Sequence, residues 1–254
     1  MSERHRYPKA ASAVLTGRRA GLIAKRALDI ALAGGALLAL APLLAVIALA
    51  VWATAGRPIL FRQVRPGRDA SLFTLLKFRS MRAPRSGEVW FTSCEQRLSP
   101  FGRFLRTTSL DELPELWNVL MGDMSLVGPR PLLPEYLPEY TPGEQRRHTV
   151  RPGLTGWAVV NGRNTLPFRE RLRLDVWYVD HWSLGLDLHI LARTAWHVVR
   201  RTGTSSVEDS AALGFPLARL AGGTAPAPAR PGETSIIDGG THDLGGPALP
   251  GAPP

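Results

Sequence analysis

The sequence holds a single cysteine, Cys94, so no internal disulfide framework and no cysteine metal cluster can form. Its histidines, His5, His148, His181, His189, His197 and His242, include no metal-ligand pair of the HExxH kind. His189 and His197 read as ordinary helix residues. There is no P-loop and no GxGxxG followed by a ribose-binding acid, and internal repeats are absent. Acids are scarce: 21 Asp and Glu stand against 31 Lys and Arg, a net charge of +10 with a pI near 10.9. That excess implies an anionic partner: nucleic acid, a phosphorylated substrate or anionic lipid. Between Ile30 and Gly56 charge is missing altogether.

That uncharged run, IALAGGALLALAPLLAVIALAVWATAG, can cross a hydrocarbon core of ~30 Å at ~1.5 Å per residue. Three readings compete: a spanning helix, a re-entrant helix and a buried helix of a soluble core. Pro42 sits near the middle, where proline kinks or breaks a helix. Cations flank both ends, Lys25 and Arg26 before the run and Arg57, Arg62, Arg65 and Arg68 after it. A spanning segment cannot put both basic flanks on the cytoplasmic side, whereas a helix that turns at Pro42 and returns can. The re-entrant reading is preferred. A secretory signal would also place charge before an apolar run, but this run is too long for one. Residues 1–24 read as a basic, membrane-facing tail, and 25–56 as the re-entrant helix.

The 254-residue chain has room for one or two domains and a substantial core. In 57–82, Arg65-Pro66-Gly67-Arg68 signals a turn between short extended segments. Lys77 and Arg79 alternate with Phe78 and are candidate phosphate ligands, or solvated cations on a strand edge. Residues 83–100 read as a polar loop carrying Cys94, which receives no role. The stretch from Arg106 to Pro131 is the centre of the chain. Asp111 and Glu112 stand at the mouth of an apolar helix whose expected buried stripe is Leu113, Leu116, Trp117 and Leu120. Pro114 belongs in the first turn, Gly122 ends the helix, and Gly128-Pro129-Arg130-Pro131 holds one arginine in a stiff turn.

Two readings of the acid pair stand side by side. Ser109-x-x-Glu112 has capping-box spacing, with Asp111 an alternative N-cap. The sharper one is a phosphoryl-transfer site, in which one carboxylate attacks phosphorus, the other holds a divalent cation and arginines neutralise phosphate oxygens. Arg151 and Arg163 lie on the turns of VRPGLTGWAVVNGRN, residues 150–164, which suits bidentate phosphate contact. Residues 168–180 form a helix carrying Asp175. The segment 182–201 mixes tryptophans, aliphatics and terminal arginines, as an interfacial helix or a core helix would. Residues 204–254 are rich in proline, glycine and alanine and are expected to be disordered.

Taken together, Lys25-Arg26-x-x-Asp29, Pro42, FRQVRPG (61–67), LLKFRSM (75–81), SLDELPELWNVLMGDMSLVGPRPLLPEYLP (109–138), VRPGLTGWAVVNGRN and LDVWYVDHWSLGLDLHIL (174–191) resemble the bacterial sugar transferases, the monotopic polyprenyl-phosphate phosphoglycosyl transferases. The resemblance covers roughly residues 24–203. It implies an α-rich α/β fold, a helix-break-helix re-entering the inner membrane, and a compact catalytic domain (57–203) with interfacial amphipathic helices on the cytoplasmic face. The implied reaction moves a sugar 1-phosphate from a UDP-sugar to polyprenyl (undecaprenyl) phosphate. That would be the first membrane step of exopolysaccharide, O-antigen or glycoconjugate synthesis.

By the same resemblance, Asp111 is the nucleophile, forming a covalent phosphosugar with release of UMP, and Glu112 binds magnesium. Lys77, Arg130, Arg151 and Asp175 match family positions associated with the active site. Pro42 matches the membrane break, although Ala41 stands where relatives often have a serine able to satisfy a freed carbonyl. Membrane lipids are implied partners and nucleic acid is not. A homodimer is compatible, and neither the sugar nor the polyprenol is specified. Two other readings are a membrane-anchored assembly scaffold, which needs no acid pair, and a nucleic-acid binder, which has the charge but no binding motif.

Overall fold

The computed structural model describes residues 19–82, 97–162 and 166–200. The expectations for the tail before Arg19, for Cys94, for Arg163 and for the region 204–254 lie outside those residues. The fold is helix-rich with two small sheets. It opens with α1 (Arg19–Ala39) and α2 (Ala41–Ala55), bent by 63° at the break between them. Residues 19–24, counted with the basic tail, therefore belong to a helix.

Pro42 causes the bend. Its ring would strike the carbonyl four residues back, so the chain turns at Leu40 and Pro42 falls in the first turn of α2, where no donor is needed. The backbone ladder resumes on both sides, with Leu40 N–H on Ala36 O and Leu44 N–H on Leu40 O, both at 2.8 Å. Among the described residues no single helix is long and apolar enough to cross a membrane, although the bent pair together is. α2 buries Ile47 and Val51 and leaves Leu43, Val46, Leu49 and Trp52 exposed. A helix apolar on its open face needs a further apolar surrounding.

The turn signal at Arg65-Pro66-Gly67-Arg68 does join strands. β1 (Leu60–Pro66) and β2 (Leu72–Phe78) pair antiparallel, with Phe61 opposite Lys77 and Arg65 opposite Phe73. α3 (Pro100–Thr107) is capped by Ser99, whose hydroxyl accepts from Gly102 N–H at 2.9 Å. A 3-10 turn at Leu110–Glu112 leads into α4 (Glu115–Met121), which ends at Gly122 in the left-handed region, φ 95°. β3 (Ser125–Val127) then pairs parallel with β4 (Gly153–Thr155). Between them lie 3-10 turns and the short α5 (Pro142–Gln145). α6 (Trp157–Val160), α7 (Phe168–Asp180) and α8 (Leu184–Arg200) complete the order.

One core gathers Ala33 of α1, Leu75 of β2, Leu116 and Val119 of α4, Val127, Tyr178 and Ile190. A second joins Ile47 and Val51 of α2 to Phe78 and Leu105, so the apolar hairpin is packed onto the strands and α3.

Three polar side chains of α1 fasten it to the rest. Lys25 Nζ donates to Val127 O at 3.0 Å and to Asp187 Oδ2 at 2.7 Å. Arg26 donates to the carbonyls of Val119 and Leu120, covering the open C-terminal end of α4. Asp29 accepts from Leu126 N–H at 3.0 Å. Lys25 and Arg26, read from sequence as flanking charges for lipid, are thus committed to protein groups. Asp187 also accepts from Tyr178 Oη at 2.7 Å and Trp182 Nε1 at 3.1 Å. Asp187→Ala would take the carboxylate away from the part-buried Lys25 ammonium and from the buried Tyr178 and Trp182 donors. The expected loss is about 3 kcal/mol of stability, read as a lowered thermal midpoint.

The capping readings of the acid pair do not hold. Ser109 takes a left-handed conformation, φ 57°, and its side chain makes no cap hydrogen bond. Asp111 lies inside the 3-10 turn rather than at a cap. Pro114 explains the tighter pitch. Having no N–H to offer Leu110 O, it leaves Leu113 N–H to reach that carbonyl at 3.4 Å, and the turn closes on three residues rather than four.

The expected buried stripe is also displaced. Trp117 is 49 % exposed, while Glu115, Asn118 and Val119 face inward beside Leu116. Asn118 is the reason. Its Nδ2 donates to Thr74 O at 2.8 Å and its Oδ1 accepts from Leu76 N–H at 3.0 Å, filling the place of another strand along β2.

Candidate active site

Four of the residues singled out from sequence come together: Lys77 from β2, Asp111 and Glu112 from the 3-10 turn, and Arg130 from the turn after β3. Glu112 Oε1 accepts from Lys77 Nζ at 2.9 Å and also from Arg130 Nη2. Lys77 Nζ lies 3.2 Å from Glu115 Oε1. Glu115 was not singled out from sequence. Its only signal was spacing, one helical turn beyond Glu112 and therefore on the same side.

The turn carrying Arg130 is held rigidly. Gly128 N–H donates to Thr155 O at 2.9 Å and Gly153 N–H to Pro129 O at 3.0 Å. The two glycine backbones approach so closely that a Cβ on Gly153 would lie 2.1 Å from Gly128 N. Arg147 Nη2 donates to Arg130 O at 2.6 Å, and Arg65 Nη1 to Pro131 O at 3.2 Å.

Asp175 stands behind this layer. It is buried and accepts from Arg147 Nε at 3.2 Å and Nη2 at 2.7 Å, so its reach to the site runs through Arg147 and the Arg130 carbonyl. Arg151 is placed at the opposite end of α4 from the acid pair. Its Nε donates to Gly122 O at 2.8 Å, beside Arg26. Arg79, offered as a phosphate ligand, donates instead to Met81 O and Arg57 O. Arg163 lies outside the described residues, and Pro42 marks the bend between α1 and α2. From sequence Arg65 is only part of a turn and a basic flank, and Arg106 and Arg147 carry no role.

The electrostatics divide the two neighbouring acids. Burial pushes the Asp111 carboxyl up to about 6, with the Glu112 charge adding to it and Lys77, Arg106 and Arg130 opposing. Burial works the same way on Glu112, but Arg130 and Lys77 overcome it and hold that carboxyl well below the usual range. Glu115 is driven up to about 7, first by burial and then by Glu112, against the pull of Lys77. Burial disfavours the Lys77 ammonium, and Glu112 and Glu115 outweigh it, so Lys77 stays charged.

Side chains of adjacent residues in a 3-10 turn diverge by about 120°. Glu112 therefore points to the cations while Asp111, 7 % exposed, stands apart from them. One acid is firmly ionised and paired. The other is a carboxylate with a raised proton affinity, the better nucleophile of the two.

A family model described as bacterial sugar transferase matches residues 20–201. The chain belongs to that family. Among its relatives, the uncharacterized sugar transferase EpsL of Bacillus subtilis (strain 168) is 50 % identical over 160 residues, 63 % of this chain and 79 % of the relative. The UDP-glucose:undecaprenyl-phosphate glucose-1-phosphate transferase of Escherichia coli (strain K12) is 42 % identical over 182 residues, 68 % of this chain and 39 % of the relative. The undecaprenyl-phosphate galactose phosphotransferase of Salmonella typhimurium is 40 % identical over 165 residues, 58 % of this chain and 35 % of the relative. This sugar transferase thus spans most of the first relative and well under half of the other two.

Proposed function

We propose that this sugar transferase moves a sugar 1-phosphate from a UDP-sugar to a polyprenyl phosphate such as undecaprenyl phosphate, with Asp111 as the nucleophile. The observation that carries the reading is the division of the acid pair. A mostly buried Asp111, with no ion pair among the described residues, stands beside Glu112, Lys77 and Arg130, which are organised around a single carboxylate oxygen.

In the first step an Asp111 oxygen bonds to the sugar-bearing phosphorus as its bond to the bridging oxygen breaks, and UMP leaves with that oxygen. In the second, a polyprenyl phosphate oxygen bonds to the same phosphorus and the Asp111–phosphorus bond breaks, restoring the carboxylate and giving the lipid diphosphate sugar. Lys77 and Arg130 carry the positive charge needed at the phosphate oxygens, since an anionic nucleophile otherwise meets an anionic electrophile.

Magnesium is the cation whose needs this donor set fits. It takes one or two carboxylates and fills its remaining positions with water and phosphate oxygens. Glu112 offers an ionised carboxylate next to the nucleophile. Among the described residues no group of three or more His, Cys, Asp or Glu is arranged to hold a metal alone, as suits an ion that arrives with a diphosphate. Bound there, magnesium would withdraw charge from the phosphate oxygens.

The membrane reading rests on the 63° bend and on the apolar side chains left outside the core. Leu38, Leu43, Val46, Leu49 and Trp52 on the hairpin, Trp117 and Met121 on α4, and Leu188, Trp196 and Val198 on α8 are all exposed. A re-entrant hairpin with its catalytic domain on the cytoplasmic face of the inner membrane accommodates them. With Cys94 replaced by serine, single cysteines introduced before Lys25 and after Gly56 should both label from the cytoplasmic side of sealed vesicles. Labelling of either from the other side overturns this topology.

The reaction itself is tested by mixing the full chain in lipid nanodiscs with magnesium and UDP-glucose or UDP-galactose, without acceptor. UMP should be released at up to one equivalent per protein, and intact mass should rise by one hexose phosphate. Turnover should begin when undecaprenyl phosphate is added. UMP release that needs the lipid from the start, with no adduct, would overturn the covalent step.

A further inference from the structure

Lys77 has two carboxylate partners with different surroundings. Glu112 lies at the rim of the site and shares its Oε1 with Arg130, whose side chain is 30 % exposed. Glu115 lies beneath, its side chain 3 % exposed, and its Oε1 is 3.2 Å from Lys77 Nζ. Arg65, Leu75, Lys77, Glu115, Arg130 and Pro131 line one small crevice at this point.

Resting on the transfer reading above, a Glu112 carboxylate shared with a magnesium diphosphate would hold Lys77 and Arg130 less firmly, because one negative charge is then divided among three cations. Arg130 has solvent to turn into. Lys77 is anchored on a strand and closed in, so without a second carboxylate its ammonium would follow Glu112 or sit uncompensated, which burial penalises heavily. We propose that Glu115 is a positioning residue: it is the fixed partner that keeps the Lys77 ammonium at the reaction centre when Glu112 turns to the donor's metal. Glu115 touches no reacting atom. It acts by making the Glu112–Lys77 pair exchangeable, and so makes Glu112 available.

The test compares wild type, Glu115→Gln and Glu115→Ala, all full chain in nanodiscs. Gln keeps the volume and an acceptor for Lys77, which guards against loss of fold. The first readout is independent of turnover. Lys77 acetylation by a water-soluble N-hydroxysuccinimide ester, followed by peptide mass spectrometry, is measured with and without magnesium and UDP. Wild-type Lys77 should stay protected in both conditions, whereas in Glu115→Ala, magnesium with UDP should raise its labelling about tenfold. Glu115→Gln should fall between them.

The second readout is the magnesium concentration at half-maximal UMP release. It should rise at least about fivefold in Glu115→Ala, where Lys77 holds Glu112 back, and be largely rescued in Glu115→Gln. Equal labelling in the three proteins, or a lowered melting temperature with an unchanged magnesium requirement, overturns the positioning role. A wild type that releases no UMP from either sugar nucleotide counts against the transfer reading instead, and the labelling still decides Glu115.

Discussion

Asp111→Asn is expected to lower UMP release by at least about a thousandfold and to abolish the phosphosugar adduct, with the fold intact. The stability change should run the other way, and its sign follows from burial. Folding raises the Asp111 carboxyl from its ordinary 3.8 to about 6. A group raised on folding contributes stability that is complete below its unfolded pKa and is lost as pH rises through its folded one. At pH 7.5 the wild type has lost that contribution, and asparagine, neutral throughout, has not. The variant should therefore be more stable than wild type at pH 7.5, by about 3 kcal/mol, and the difference should vanish as pH falls below the ordinary 3.8. Thermal melts under both conditions beside the UMP assay measure the two effects together. An inactive variant that is also destabilised at pH 7.5 would mean that Asp111 supports the fold rather than the chemistry.

Glu112→Gln should show the opposite pattern. Arg130 and Lys77 hold the Glu112 carboxyl low against burial, so its contribution is present above the ordinary carboxylate range and is lost only as pH falls towards its folded value. At pH 7.5 the variant loses it and leaves two cations facing each other across a neutral amide. A lowered melting temperature is expected there, together with turnover reduced about a hundredfold. The magnesium requirement should rise at least about tenfold, because the amide is a poorer ligand for a hard cation. A magnesium titration that overlays wild type would remove Glu112 from any metal role. Two adjacent acids with oppositely signed stability changes at one pH would be hard to produce by general disruption of the turn.

The features legible in the sequence were those in which a residue acts on its own backbone. Pro42 marks the break, Pro66-Gly67 the hairpin and Gly122 the end of α4, each through a local conformational rule. The pairing of Lys77 and Arg130 with the acid dyad followed from motif resemblance, not from periodicity. Trp117 was misplaced because an apolar periodicity was assigned to the core, while this helix has an apolar side that the core does not cover. Glu115 was passed over because an acid one turn into a helix ordinarily lies in solvent. Here the strand lysine turns it inward. The contacts of Lys25, Arg26 and Asp29 join residues about a hundred positions apart, and no local rule reports such a distance.

Those three contacts change what the amino-terminal hairpin is for. A version of the protein beginning at residue 57, made to obtain a soluble enzyme, would not simply lose two apolar helices. It would uncover the groove that Ala33 fills and strand the carbonyls of Val119 and Leu120 and the amide of Leu126. These groups lie on the strand and helix that frame Arg130 and the acid pair. Solubilisation by truncation would therefore remove part of the scaffold itself. Polar replacement of the outward side chains Leu43, Val46 and Leu49, with the inner face of the hairpin retained, is the route that leaves the catalytic frame standing.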